Sequence, residues 1–200
     1  TLQPTTAAFA WIDKPDSGHK YSDNKFKATL VYDDVEDALT VKENGKETNL
    51  EQVCERLARE YWGEDFDVSE LRMPIRLPED QTKEDFEGKT TITPKSKYKP
   101  MAYDAKRNKL PKSVKIFSGD VVSVIATLIP YESTERVREG KKMVTVTTYG
   151  ISANLSAIQL VEKRAGGGPG PSGFDVHDDG FDASQIEDEV EDDQDEQDDD

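Results

Sequence analysis

Between Lys89 and Lys115 nine cations meet a single carboxylate, Asp104, and two tyrosines fall among them: Lys95, Lys97, Tyr98, Lys99, Tyr103, Lys106, Arg107, Lys109 and Lys112 make up the interior of this run. Lys and Arg neutralise phosphates, while an aromatic ring offers a face on which any nucleobase can stack, worth about 1–3 kcal/mol per base. Cations interleaved with rings are what sequence-independent capture of a single nucleic-acid strand requires. Lys20, Lys25 and Lys27 add positive charge from an N-terminal hairpin, with Tyr21 beside them, and Trp11 shares a strand face with Phe9. A solvated lysine-rich loop with inward-packed tyrosines would have the same composition. For Phe9 and Trp11 a place in the core is the plainer reading, because aromatic side chains are so often buried.

Catalysis has weaker material. Glu87-Gly88-Lys89, with Asp65, Asp67 or Asp80 upstream, loosely mimics the carboxylate-and-lysine set of metal-dependent nucleases. Such a set arises by chance in a chain that is 34% charged. No GxxxxGK[ST], GxSxG or HExxH pattern occurs, and no GxGxxG follows a strand. Cys54 stands alone, so no intrachain disulfide can form, and with His19 and His177 as the two histidines no Cys/His zinc site can be assembled. The expectation is a binding protein without cofactor, metal or enzymatic activity.

Charge is divided along the chain. All 26 Lys and Arg lie at or before Arg164, where they face 27 acids; the last 36 residues hold 15 acids and no base. The body is near neutral and the terminus is a polyanion. Asp33–Glu87 is acidic, with 18 acids against seven bases, and the basic run follows it directly. A cationic strip tethered to a polyanion suits binding of another polyanion under competition, nucleic acid being the simplest. Through a short flexible tether the tail would face its own groove at an effective concentration of order mM. An acidic-tailed adaptor for a basic protein, or a mimic of DNA, is the alternative.

Periodicity supplies the elements that must hold these groups. Residues 8–12 read as a strand and Pro15–Gly18 as a turn; Lys25–Tyr32 alternates, with Phe26, Ala28, Leu30 and Tyr32 on one face. Leu50, Val53, Cys54, Leu57, Ala58 and Tyr61 follow a helical period, with Asn49 as N-cap, Gln52 at the capping-box position and Gly63 near the end. Cys54 therefore falls on the buried face, as a structural thiol. Five prolines between Glu64 and Lys112 favour loops and short strands. Ser113–Phe117, Val121–Ile129 and Met143–Tyr149 read as strands, Glu132–Lys142 as a charged loop, and Ile151–Glu162 as a strand bulged near Ser156, where its apolar phase shifts.

At least five short strands and one amphipathic helix suit a mainly β, five-stranded OB-fold (Greek-key) barrel, although a sandwich is also compatible. Residues 1–164 would form that domain, 165–173 a Gly/Pro-rich linker, and 174–200 a disordered acidic tail interrupted by Phe174, Phe181, Ile186 and Val190. No apolar run approaches the ~20 residues that span a bilayer, so no membrane association is expected.

The pieces AFAWIDKPDSG (8–18), KATLVY (27–32), SGDVVSVIATLIPY (118–131) and ISANLSAIQLVEKRAGGG (151–168), followed by a polyacidic terminus, resemble the replicative single-stranded DNA-binding proteins of tailed bacteriophages, of the podophage type. That resemblance implies an OB-fold core with one packed helix and a cationic groove for single strands. It implies a role in phage DNA replication, recombination and repair, including strand annealing, in the cytoplasm of the infected bacterial host. It also implies a tail that contacts the phage DNA polymerase and helicase-primase. The family's best-known member ends in an aromatic residue that its partners need, whereas this sequence ends in Asp200. Contact through Phe174 or Phe181, no contact, or further residues beyond Asp200 are the readings left open, as is a homodimer.

Overall fold

Alternation governs the first strands. Leu2–Trp11 (β1) and Phe26–Tyr32 (β2) pair antiparallel, and β2 turns Ala28, Leu30 and Tyr32 into the core. The computed structural model describes residues 1–18, 20, 22–139 and 142–164. The linker and acidic tail read from the sequence lie outside them.

After β2 come a short helix, Val35–Leu39 (α1), and a hairpin of Thr40–Glu43 (β3) and Lys46–Asn49 (β4). Its loop is Asn44-Gly45 at φ 50° and 81°, the left-handed pair that a two-residue hairpin turn needs. The next helix, Leu50–Trp62 (α2), starts where the sequence places it. Asn49 Oδ1 accepts from the N–H groups of Glu51 (2.8 Å) and Gln52 (3.3 Å). Leu50, Cys54 and Ala58 are its buried residues. Burial pushes the Cys54 thiol up to about 12, with the Glu51 carboxylate adding to the effect.

The proline-rich middle is, as expected, loops, single 3₁₀ turns and short strands: Leu71–Arg72 (β5), Ile75–Arg76 (β6), Thr90–Ile92 (β7), Lys95–Ser96 (β8) and Met101–Tyr103 (β9). Two long strands close the fold, Val121–Glu139 (β10) and Lys142–Glu162 (β11). Their register runs from Val121↔Glu162 to Glu139↔Lys142 and skips Ser156, so the expected bulge is present at that residue.

Among the described residues eleven strands make one sheet, and five of them form a circuit: β1 pairs with β2 and β10, β10 with β11, β11 with β8, and β8 with β2. This is a mainly β, OB-like fold. Its seam is narrow, because β8 meets β11 through the single pair Lys95↔Asn154. Leu30, Ile92, Val122, Val124, Ile151, Leu155 and Ile158 fill the interior.

The expected minimum of five strands and one packed helix is met, with further short strands and the five-residue α1 beside them, which carry almost no periodic signal. Two expectations are corrected. Ser113–Phe117 is not a strand: Val114 bonds back to Pro111, and the N–H of Phe117 goes to the buried Asp120 carboxylate rather than to a ladder. Of the stretch expected as a charged loop, Glu132–Glu139 and Lys142 belong instead to the outer part of the β10–β11 ribbon. Both faces of that ribbon meet solvent, so charge there carries no information about loops, whereas its Val and Thr residues favour the extended chain.

Candidate nucleic-acid interface

The first functional feature is a fault in β1. Ala8 pairs with Thr29 but Trp11 with Lys27, so β1 carries one extra residue and Phe9 takes a left-handed φ of 49°. Strict alternation after the fully buried Ala7 would send Phe9 and Trp11 inward. The bulge turns them out instead, leaving Phe9 41% and Trp11 36% exposed. A left-handed conformation at a non-glycine residue is costly and persists where surrounding structure enforces it, which occurs disproportionately at binding sites.

Both rings line a cleft of about 850 Å³. Lys25, Lys27, Arg76, Lys83 and Lys95 contribute cations, Phe86 and Tyr131 further rings, and Thr29, Thr91, Thr93, Ser152 and Asn154 hydroxyl and amide groups. The one carboxylate among the described lining residues is Asp16. It forms an ion pair with Lys27.

Each group is held by neighbours. Asp23 lies 2.9 Å from the Lys95 ammonium and 3.5 Å from that of Lys27, fixing two cations on adjacent strands. Burial pushes the Asp23 carboxyl up, but the Lys95 and Lys27 charges outweigh it and hold it below its ordinary range. Phe9 meets Phe86 edge-on at 5.8 Å between ring centres, and the Lys83 ammonium sits over the Phe9 ring. Gln81 Nε2 lies within hydrogen-bonding distance of the Arg76 and Lys89 carbonyls and of Thr91 Oγ1, which ties the loop carrying Lys83 and Phe86 to the wall. Lys25, Arg76 and Lys83 have no carboxylate at ion-pairing distance among the described residues.

Five cations against one neutralised carboxylate, with rings between them, form a surface for a polyanion that also carries flat apolar groups. Among the described residues the lining holds one carboxylate, already paired, and no carboxylate cluster for reading cytosine amino groups. Phosphate neutralisation and stacking are what it can supply.

Of the residues singled out in the sequence, Trp11, Lys25, Lys27 and Lys95 come together in this cleft. Tyr98, Tyr103, Lys97, Lys99, Lys106, Arg107, Lys109 and Lys112 are not among its described lining residues. Tyr98 projects from the turn after β8, 82% exposed, and Lys99 lies 3.4 Å from Asp13. Tyr103 sits in β9 with its hydroxyl 3.4 Å from Met101 Sδ, and its backbone bridges to Lys109. Lys106 and Asn108 donate backbone N–H groups to the Asp104 carboxylate. Lys20 is exposed in the first loop; Tyr21, Phe174 and Phe181 lie outside the described residues. Glu87 and Lys89 do not meet Asp65, Asp67 and Asp80 in a metal site: Lys89 pairs with Asp33, and no three potential metal ligands cluster among the described residues.

Sequence reasoning passed over Phe9, Arg76, Lys83, Phe86 and Tyr131 as site residues. Arg76, Lys83 and Phe86 lie in the acidic half of the body, where a running charge count hides them. The signal for Phe9 was its pairing with Trp11 on two alternate positions, which a bulge converts from a core pattern to a surface one.

The family described as "Enterobacter phage Enc34, ssDNA-binding protein" matches residues 2–193. Among solved structures, a C-terminal truncation of the single-stranded DNA-binding protein of bacteriophage Enc34 is similar at TM-score 0.50 and 18% identity, covering 81% of this chain and 84% of that one. The same phage's protein in complex with ssDNA is similar at TM-score 0.47 and 17% identity over 81% and 85% of the two chains. The single-stranded DNA-binding protein gp2.5 encoded by bacteriophage T7 is similar at TM-score 0.47 and 18% identity over 82% and 91%. No curated protein sequence matches the chain.

Proposed function

Because the chain belongs to the Enterobacter phage Enc34 ssDNA-binding protein family, we propose that it coats single-stranded DNA during phage DNA replication, as a binder and not an enzyme. The observation that carries the mechanism is the cleft in which Trp11, Phe9, Phe86 and Tyr131 stand among Lys25, Lys27, Arg76, Lys83 and Lys95. Phosphates would lie against the ammonium and guanidinium groups and release their counterions, while bases unstacked from one another turn onto the rings. Every base has a face to stack, so affinity depends little on sequence. A duplex keeps its bases stacked internally and cannot use the rings, which gives the preference for single strands.

The acidic tail, 174–200, has two roles in this reading. It competes with DNA for the cationic cleft, and it recruits the phage DNA polymerase and helicase-primase, with Phe174 and Phe181 as apolar contacts in a charged segment. Participation in recombination and repair, a homodimeric state and action in the cytoplasm of the infected bacterial host belong to the same reading. They are supported by the kind of protein the sequence resembles.

Anisotropy of a labelled dT oligonucleotide, titrated with the full chain and with residues 1–164 at two salt concentrations and with duplex competitor, tests it. Single-strand preference with tighter binding by residues 1–164 is the expected result. Equal affinity of the two would remove the competing tail; no binding by either would overturn the DNA-coating function and leave a tail-driven adaptor.

A further inference from the structure

Tyr131 of β10 stands directly opposite Gly150 of β11. The hydroxyl end of its ring covers the glycine so closely that a methyl group there would lie 2.6 Å from Cζ and from the hydroxyl oxygen, and 2.7 Å from Cε1. Gly150 has no left-handed φ, so what the site requires is empty space and not glycine's backbone freedom. Gly150 is buried, yet Tyr131 remains 38% exposed and lines the cleft with Ile129 and Ser152. One side of the ring rests over the glycine, and its exposed part lines the cleft.

We propose that Gly150 is a positioning residue that lays Tyr131 down as a base-stacking platform in the single-strand cleft. This rests on the DNA-binding reading given above. A tyrosine standing upright on an exposed ribbon samples several rotamers and must be ordered when a base arrives, whereas a ring resting on a glycine is ordered beforehand. Glycine inside a strand is otherwise unfavourable, having no side chain to pack and more backbone freedom to lose. Its presence directly beneath a cleft aromatic is thus accounted for by the ring it admits. A purely structural account, in which the ring only shields the glycine, makes a different prediction: any bulky apolar side chain at position 131 would serve.

The experiment uses the full chain and two probes of equal length, a dT oligonucleotide and one in which abasic residues replace the bases. Tyr131→Phe, which keeps the aromatic face, should retain most of the dT affinity. Tyr131→Leu, an apolar side chain with no aromatic face, should lose about five- to 150-fold on dT, the span of one stacked base, and nothing on the abasic strand. Gly150→Ala should lose affinity for dT in the same direction, with no further loss when added to Tyr131→Leu, where no ring remains to be displaced. Thermal melting of each variant separates binding from folding, and if Gly150→Ala fails to fold, the Phe and Leu variants decide alone. Equal dT affinity of Tyr131→Leu and Tyr131→Phe would overturn the proposal. So would a Gly150→Ala loss that is the same with and without the ring. Failure of the wild type to bind dT would instead overturn the DNA-binding reading, and this proposal with it.

Discussion

The Lys83 ammonium lies 4.6 Å from the centre of the Phe9 ring. A single 3₁₀ turn, Glu84–Phe86, begins just after Lys83 and closes with the Phe86 N–H donating to the Lys83 carbonyl, so the cation and the second ring reach Phe9 from one turn of chain. The ring is thereby held from one side by Phe86 and marked with positive charge, a combination suited to a base with its phosphate attached. Lys83→Gln should weaken single-strand binding for all sequences alike and lower the slope of log affinity against log salt by about one. Salt titrations of both proteins check it, and an unchanged slope would remove Lys83 from the phosphate path.

The left-handed Phe9 sets stability against binding. Phe9→Gly should leave the melting temperature unchanged or higher, since relief of about 1–2 kcal/mol of backbone strain offsets the lost edge-on contact with Phe86. Its affinity for single strands should fall. Phe9→Val, β-branched at the same φ, should lose both. Melting curves and dT titrations of the pair separate the two effects.

Asp23 restrains the cations it positions. Asp23→Asn leaves Lys95 and Lys27 with one carboxylate fewer to satisfy, Asp16 remaining beside Lys27. Both ammoniums then become more available to phosphate. Single-strand affinity should rise severalfold at low salt and the salt slope should steepen. Weaker binding would mean that Asp23 matters more by aiming the lysines than by occupying them.

Acid should loosen the end of β11. Burial pushes the Asp120 carboxyl up, but the Lys163 ammonium at 2.8 Å and the N–H groups of Phe117 and Arg164 outweigh it, leaving it below its ordinary value of 3.8. A depressed carboxylate contributes stability that is complete above the unfolded value and disappears as pH falls through the folded one. The wild type should therefore lose melting temperature as pH drops below about 4. Asp120→Asn should be less stable at pH 7 by about 1.5–3 kcal/mol, the worth of hydrogen bonds to a charged group, and its loss in acid should be smaller.

Cys54 is buried on α2 with its thiol pushed up to about 12. At pH 8 the native protein should resist a thiol-directed reagent, with modification tracking unfolding in denaturant. Rapid native labelling would contradict the packing of α2 against the sheet.

What could be read in advance follows from how locally each feature is encoded. The α2 helix was legible because its cap, its period and its terminal glycine all lie within fifteen consecutive residues, and Leu30 and its neighbours because the apolar residues of β2 alternate. The β3–β4 hairpin was equally local, announced by Asn44-Gly45 between alternating segments, and was missed for want of apolar residues. The cleft was not local. Its cations come from β2 and the residue before it, β6, β8 and the loop after residue 80. Only pairing of β2 with β7 and β8, and of β7 with β6, brings them together. Charge density along the chain pointed to Lys95 but equally to Lys106–Lys112, and nothing in one dimension distinguishes a groove wall from a surface loop.

Lys95 belongs to two systems at once. Its backbone makes the only described pairing between β8 and β11, and its side chain faces the cleft. In the proposed role, a strand of DNA drawn onto that ammonium would also load the stitch that completes the circuit, coupling occupancy to the integrity of the fold. Loading the protein with DNA should slow amide exchange around residues 95 and 154 more than elsewhere on the far side of the sheet, and tension that peels the strand away would be felt first at that seam.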